Sequence, residues 1–368
     1  VVCGKVNFTN LSRYSELNEK TYRRQFIEEV DFAKLNATLI QAAAEPGHQQ
    51  LAVMDCSFIR KSGKATFGLD RFWNGCNSRV ERGLEVSLVG VVDVETEMSY
   101  ALHAQQTFAQ SEMAGVSRMD QYLGHLTLVR PQLPPTVQYL AVDGAYAKER
   151  FVTGATRLKL AIISKLRCDA NLRHLYTGVQ KQRGRPRKYD GKVDLTDLSR
   201  FTFVETVQPQ VDLYTARLWH VSLKREIRVA YLVDRRVPNR VRTCLLFSTD
   251  VEQAPKQIIQ FYKLRFGIEF LFRDAKQFTG LSDCQARDLL KLDFHFNASF
   301  TALNLAKFDA HPQHTGQDPF VFSMASVKRR ALNQHLLERF IATLDLEPSL
   351  IKSHPNYSTL CDYGTIAA

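Results

Sequence analysis

Two short apolar runs in this chain end in a carboxylate, Leu51-Ala52-Val53-Met54-Asp55 and Tyr139-Leu140-Ala141-Val142-Asp143. In an open α/β sheet, functional groups gather just beyond the carboxyl ends of central parallel strands, where an aspartate leaves the apolar core for the crevice. Were the two strands neighbours, their carboxylates would stand within a few ångström of each other, an arrangement that is costly without a cation. Mg²⁺ resolves it, because it takes oxygen ligands. Taken singly, each aspartate reads more readily as a turn residue or a helix cap. Asp93, in the run Asp93-Val94-Glu95-Thr96-Glu97, reads as a turn residue.

A third chemical grouping lies far along the chain. From Glu252 to Gln277 the pattern is helical, and Tyr262, Arg265, Glu269 and Lys276 sit at offsets of 0, 3, 7 and 14. At ~100° per residue they form one stripe about 60° wide. Phe261, Leu264, Phe266, Ile268, Phe270, Leu271 and Phe272 cover most other directions, which predicts a largely buried helix whose polar stripe lines a cleft. In such a cleft Arg and Lys suit phosphates, Tyr can hydrogen-bond one, and Glu can complete a metal site. The competing reading is an Arg265–Glu269 ion pair on a wet helix face.

The charge balance points the same way. The 368 residues carry 49 Lys and Arg against 38 Asp and Glu, a net of +11, which favours an anionic partner. The excess is concentrated: Arg157 to Lys192 holds eleven Lys or Arg against Asp169 and Asp190. Its centre, Lys181-Gln182-Arg183-Gly184-Arg185-Pro186-Arg187-Lys188, has no apolar residue and two backbone breakers, so it is an exposed loop or arm. Either it is a solvated linker, or Arg183, Arg185, Arg187 and Lys188 track phosphates. The Arg-Gly-Arg-Pro core is similar to the AT-hook, a flat extended segment that places arginines in a narrow minor groove.

The elements that must position these groups follow from patterning. A hydrophobic fraction of 45% supports a sizeable core and excludes wholesale disorder. No apolar stretch approaches the ~20 residues of a membrane helix. No basic-then-apolar leader opens the chain, so secretion is not expected. The first residue is Val1 rather than Met, which suggests that the natural N-terminus lies upstream. Seven scattered cysteines without a C-x-x-C pair indicate neither a zinc ribbon nor a disulfide framework, and a reducing cytoplasm is the natural compartment. Residues up to about 48 read as helical, with Ser15 placed to cap a helix over Ser15 to Phe32. There Tyr22, Arg23 and Arg24 either face a DNA backbone or form the outer face of a packing helix. Beyond Pro46-Gly47-His48, strands are expected at 51–55, 64–72, within 84–105, at 139–143 and at 160–163. Helices are expected near 118–129 and from about Lys148. Residues 166–248 read as the basic arm followed by β-rich alternation. A helical tail, including Val327 to Leu344, closes the chain.

The string Tyr262-x-x-Arg265-x-x-x-Glu269-x-x-x-x-x-x-Lys276 resembles the complete Y-R-E-K signature of the insertion-sequence-four family of DDE transposases. Met54-Asp55-Cys56-Ser57-Phe58 with Lys61-Ser62-Gly63-Lys64 resembles that family's first-aspartate region, and Asp143-Gly144-Ala145-Tyr146 its second. The helical start, residues 184–189 and the helical tail are similar to relatives as well. The resemblance implies an α/β fold: a ribonuclease-H-like mixed sheet core flanked by helices, interrupted by a β-rich insertion, with helical N- and C-terminal segments. It divides the chain into a DNA-binding N-terminal segment (1–48), the first part of the core (49–165), the insertion with its basic arm (166–240), the second part of the core (241–310) and the tail (311–368).

The implied chemistry is phosphodiester hydrolysis followed by transesterification, cut-and-paste movement of a DNA segment. It uses two Mg²⁺ ions, for which Mn²⁺ can substitute. Asp55 would bridge the metals, with Asp143 and Glu269 each completing one side. Tyr262 and Arg265 would grip a phosphate near the transposon end, and Lys276 would contact the DNA backbone. The implied partners are double-stranded DNA, both terminal inverted repeats and target, and a second copy of the chain in a synaptic homodimer. No membrane is involved, and the setting is a bacterial-type cytoplasm close to the nucleoid. Some relatives stack a flipped base on a tryptophan of the insertion. Trp219 lies in that region without a matching motif, and a core or sheet role suits it better. Two other readings stay open: a catalytically silent DNA-binding relative, and a ribonuclease-H-like nuclease without strand transfer.

Overall fold

The computed structural model describes residues 3–310 and 322–366. Three helices open the chain: α1 (Phe8–Arg13), α2 (Glu19–Gln25) and α3 (Phe32–Ala43). The single helix expected from Ser15 is not formed. Asn18 and Asp31 are the caps that win, accepting the Thr21 and Lys34 amides, while the Ser15 hydroxyl bonds Tyr22 instead. Phe26 packs edge-on against Phe294, and buried Asn36 donates to the Leu102 carbonyl, so these helices dock on the rest of the chain. Arg23, on the exposed side of α2, pairs with Glu19.

In chain order the strands are β1 (Gln50–Arg60), β2 (Asp70–Asn74), β3 (Arg79–Asp93), β4 (Ser99–Thr107), β5 (Tyr139–Val142), β6 (Ala161–Leu166), β7 (Leu172–Leu175), β8 (Tyr189–Lys192), β9 (Thr202–Gln208), β10 (Val211–His220), β11 (Arg225–Val237) and β12 (Arg240–Ser248). They form one twelve-stranded mixed sheet. β1 pairs antiparallel with β3, which pairs antiparallel with β4. On its other side β1 pairs parallel with β5, and β5 with β6. The sheet then continues antiparallel through β12, β11 and β10. The expected strand at 64–72 begins only at Asp70, because Gly63 and Gly68 adopt left-handed φ values of 100° and 74°. The expected join between insertion and core, at 240/241, falls at the start of β12, which pairs with both β11 and β6.

β1 reads as a continuous apolar run because both its faces are covered. Ala52 and Met54 face a core closed by α4 (Arg118–Val129) and α5 (Glu149–Arg157). Leu51 and Val53 face a second core closed by α6 (Pro255–Leu264), α7 (Phe266–Phe278) and α8 (Leu289–Ala310). α8 seals the outer edge of β4. Asn304 exchanges hydrogen bonds with the Ala101 amide and carbonyl (3.0 and 2.6 Å), and Asn297 with those of Ala104 (both 2.8 Å). Two amide side chains seven residues apart thus stand in for a neighbouring strand. The tail comprises α9 (Met324–Thr343), α10 (Pro348–Lys352) and α11 (Asn356–Cys361). The part of the expected tail at 311–321 lies outside the described residues. No helix among the described residues is long and apolar enough to cross a membrane.

Candidate active site

Strand register brings the two aspartates together. The last parallel pair between β1 and β5 is Met54 with Val142, so Asp55 and Asp143 are the next residue on each of two adjacent strands. β1 does not end at Asp55, as the sequence suggested. It runs on to Arg60 against β3, which fixes the backbone on both sides of the carboxylate. The Cys56 amide donates to Asp55 Oδ1 (2.8 Å), and Ser164 Oγ donates to the Asp143 carbonyl (3.0 Å).

Glu269 arrives on the first turn of α7. The single helix expected over 252–277 is two helices that meet at Arg265, where the amide reaches back to the Lys263 and Phe261 carbonyls. Gly267, a weak helix former, follows two residues later. A Cβ at Gly267 would lie 2.9 Å from Ser99 Cβ and 3.0 Å from its Oγ, and one at Gly90 would meet the Tyr100 carbonyl at 2.8 Å. Gly267 thus lets α7 lie directly on β4 at Ser99, while Gly90 lets the β3 backbone meet that of β4. Gly267→Val should therefore destabilise the fold by about 1–3 kcal/mol, read by denaturant unfolding. Adding Ser99→Gly should recover part of that loss in a double-mutant cycle.

Between Asp55 and Glu269 lies one guanidinium. Arg265 Nη1 is 3.3 Å from Asp55 Oδ2, and Nη2 donates to Glu269 Oε1 at 2.9 Å. The Arg265–Glu269 ion pair of the competing reading thus forms, but with its Arg265 end buried (6% exposed) and only its Glu269 end, 47% exposed, open to solvent. The guanidinium lies over the Phe266 and Tyr262 rings (4.9 and 5.5 Å). Its Nε is buried without a hydrogen-bond partner.

The electrostatics are those of a buried carboxylate with two others nearby. Burial, reinforced by the charges of Asp143 and Glu269, pushes the Asp55 carboxyl up to about 6, with the Cys56 amide and Arg265 working the other way. Arg265 is held above its ordinary value, because Asp55, Tyr262, Glu269 and Asp143 together outweigh the opposing effect of burial. The half-buried Tyr262 hydroxyl is pushed up by burial. Lys276 is turned away from this cluster, because the break at Arg265 and the path of α7 carry it past the triad. Its Nζ donates to Ser57 Oγ (2.8 Å) and to the Phe58 carbonyl (2.9 Å), tying α7 to β1. Burial lowers its pKa. Two aromatic residues expected to be buried, Phe266 and Phe270, are exposed beside Glu269.

Other groups singled out from sequence lie elsewhere. Residues 181–188 are exposed throughout, and the arm bends at Gly184 (φ 97°) rather than running flat. Arg187 is held within it, stacked on Tyr176 and paired with Asp190, whereas no ion pair forms at Arg183, Arg185 or Lys188 among the described residues. Trp219 sits within the sheet on β10, packed on Tyr189 (5.5 Å). Asp93 is a turn residue: it accepts the Thr96 amide and hydroxyl and pairs with His48 Nδ1 at 2.9 Å. With Glu95, His48 and Asp93 place three ligand-type atoms within 4.8 Å of one another. That cluster is at the start of β1, where Gln50 pairs with Asp93, five residues before Asp55. The Asp93 hydrogen bond raises the His48 pKa, as in an imidazolium–carboxylate pair. A cleft of about 1320 Å³ between α1, α2 and α8 is lined by none of the three acidic residues. Sequence reasoning missed Gly267 and Ser57; the signal for Gly267 was a glycine two residues before Glu269 in a helical run.

Asp55 within β1, level with Asp143 just past the end of the adjacent parallel strand β5, is joined through a buried arginine to a glutamate on a later helix. The family model described as "Transposase DDE domain" matches residues 49–305, and the chain belongs to this family. A search of curated proteins gives no match to the chain.

Proposed function

We propose that the chain cuts DNA at transposon ends and transfers the freed strand into target DNA, as a Y-R-E-K member of the insertion-sequence-four group. The observation that carries the reading is the Arg265 bridge, which brings Glu269 to Asp55 across 214 residues of chain. The order β4-β3-β1-β5-β6, antiparallel on one side of β1 and parallel on the other, supports a ribonuclease-H-like core. The antiparallel strands beyond β6 support a β-rich insertion.

The donor set fits Mg²⁺ or Mn²⁺. It consists of hard carboxylate oxygens, and the burial that chiefly raises the Asp55 pKa, with the charges of Asp143 and Glu269 adding to it, is a cost that a divalent ion would relieve. Asp55, Asp143 and Glu269 would hold two such ions, which when bound supply activation of a water or 3′-hydroxyl and stabilisation of the leaving oxygen. The chain's own residues bind and orient the DNA. Arg265 uses two of its five donors on carboxylates, and turning the side chain out toward bound DNA would give its buried, unpartnered Nε a phosphate oxygen to bond. Tyr262 holds the guanidinium plane from one side. Lys276 keeps β1 and α7 in register and has one donor left for the DNA backbone. Arg183, Arg185, Arg187 and Lys188 add backbone contacts. On the tail, Leu336, Phe340 and Leu344 are exposed at four-residue spacing, an apolar stripe that suits a homodimer contact.

The pH dependence of ion binding follows from Asp55. Below about pH 6 a metal must displace its proton, so Mn²⁺ affinity should fall by ~10-fold per pH unit there and level off above pH 7. In the ion-free protein the folded state holds this proton more tightly than the unfolded chain does. Stability therefore falls as pH rises from about 4 through about 6, and Asp55→Asn removes that slope. Calorimetric Mn²⁺ titrations and melting curves across pH 5–8 check both statements. A strand-transfer assay on pre-cleaved ends tests the function itself: joined product supports it, and nicking without joining leaves a simple nuclease.

A further inference from the structure

The β11–β12 hairpin carries arginines that neither the triad nor the basic arm accounts for. Its tip reads Asp234-Arg235-Arg236-Val237-Pro238-Asn239-Arg240-Val241-Arg242, four cations against one carboxylate, and residues 235–243 are all exposed. Val237 pairs with Arg240 across a two-residue turn in which Asn239 takes φ 60°, a conformation Asn tolerates after proline. Ladder pairing with β10 ends at Asp234, though Arg235 and Arg236 are still tied to Gln210 and Gln208 of the β9–β10 hairpin, and pairing with β6 ends at Leu245, so residues 237–242 project as a free two-stranded tip. Arg235 and Arg236 are braced by Asp212 and Asp234, while no ion pair forms at Arg240 or Arg242 among the described residues.

Strand register gives its direction. Continuing the β5–β6 pairing sets Asp143 level with Lys165, which pairs with Leu246 on β12. From that level β12 rises past the carboxyl end of β6, carrying Arg242 ~13 Å and Arg240 ~20 Å beyond Asp143 at ~3.3 Å per residue. The ribbon thus leaves the sheet at the same end as the acidic site, two strands away from it.

We infer that this ribbon grips duplex DNA seated on the site, with Arg240 and Arg242 in the minor groove and Val237-Pro238 as an apolar wedge at its floor. Arginine neutralises the strong negative potential of a narrow minor groove, and Val and Pro at a hairpin tip are of the apolar kind that unstack a base step. The inference rests on the proposed function, since it takes DNA to be the ligand.

Fluorescence anisotropy on a 40-base-pair duplex with a central A·T tract, over a range of salt concentrations, tests it. The doubly substituted R240A/R242A protein should bind with a log–log salt slope smaller by about 2 and an affinity roughly 10–30-fold lower at physiological salt. Charge reversal, R240E/R242E, should deepen the loss, with both variants melting at the wild-type temperature because the tip contributes nothing to either core. Netropsin, which fills the minor groove, should weaken wild-type binding more than variant binding. Unchanged slope and affinity in both variants, or an equal netropsin effect on all proteins, overturns the inference alone. A wild-type protein that binds no duplex overturns the proposed function with it.

Discussion

Glu269→Gln should abolish Mg²⁺-dependent nicking of end-containing DNA, a loss of roughly 10³-fold or more, equivalent to about 4 kcal/mol of barrier. The substitution is isosteric and lies at a 47% exposed side chain, so the fold should persist with an unchanged melting temperature. What it removes is one anionic donor of three, and with it the charge that balances a divalent ion against Arg265. Duplex binding should survive, because the basic arm and the β11–β12 ribbon are untouched. Asp55→Asn should be as severe, with one difference: Asp55 is largely buried and its carboxyl is already raised to about 6, so the neutral amide should stabilise the ion-free protein above that pH. Retention of more than a tenth of wild-type nicking in Glu269→Gln would show that this glutamate is not a metal ligand.

Arg265→Ala is expected to give the second large effect, on stability as well as on activity. The guanidinium is buried, accepted by two carboxylates and flanked by two aromatic rings. Its loss leaves Asp55 without a cation and should cost about 1–3 kcal/mol in unfolding free energy. Mn²⁺ should offset the missing charge, so the ion should raise the melting temperature of Arg265→Ala by more than it raises that of wild type. Nicking should stay low even at saturating Mn²⁺, because an added ion restores charge but not the two-pronged hold that Arg265 keeps on Asp55 and Glu269. Arg265→Lys separates charge from geometry: it should recover most of the stability and little of the activity, since a point charge cannot span Asp55 and Glu269 as a fork does. Equal Mn²⁺ shifts in the Ala variant and wild type would remove the view that Arg265 stands where cationic charge is required.

The parts of this site that were legible in the sequence are those fixed by local pattern. Asp55 and Asp143 follow apolar runs whose length and composition mark buried parallel strands, and a shared register then places them side by side. Arg265 and Glu269 stand four residues apart, close enough for one helical turn to join them even across a break. Lys276 was not legible in the same way. An ideal helix projects it onto the stripe of Tyr262, but the discontinuity at Arg265 and the close seat of Gly267 on Ser99 send it to Ser57. Both depend on contacts between segments more than a hundred residues apart. The exposure of Phe266 and Phe270 was hidden for a related reason: an apolar residue on a helix reads as core unless the packing of distant segments is known. At the N-terminus, Ser15 and Asn18 are both good caps, and the pattern could not say that Ser15 would spend its hydroxyl on Tyr22. The ribbon at 235–242 escaped notice because its arginines are interleaved with Val and Pro and lack the density of the run at 181–188. Only the ends of the β10 and β6 pairings reveal that its outer part, 237–242, stands free.

The convergence of Asp55, Asp143 and Glu269 on divalent ions is tested most directly by anomalous diffraction from crystals of the protein with a duplex end, grown in Mn²⁺. The account predicts strong Mn²⁺ peaks bounded by these three carboxylates, with Arg265 turned toward a phosphate. Mn²⁺ found only at His48, Asp93 and Glu95, with Arg265 still bridging Asp55 and Glu269 around bound DNA, would contradict it.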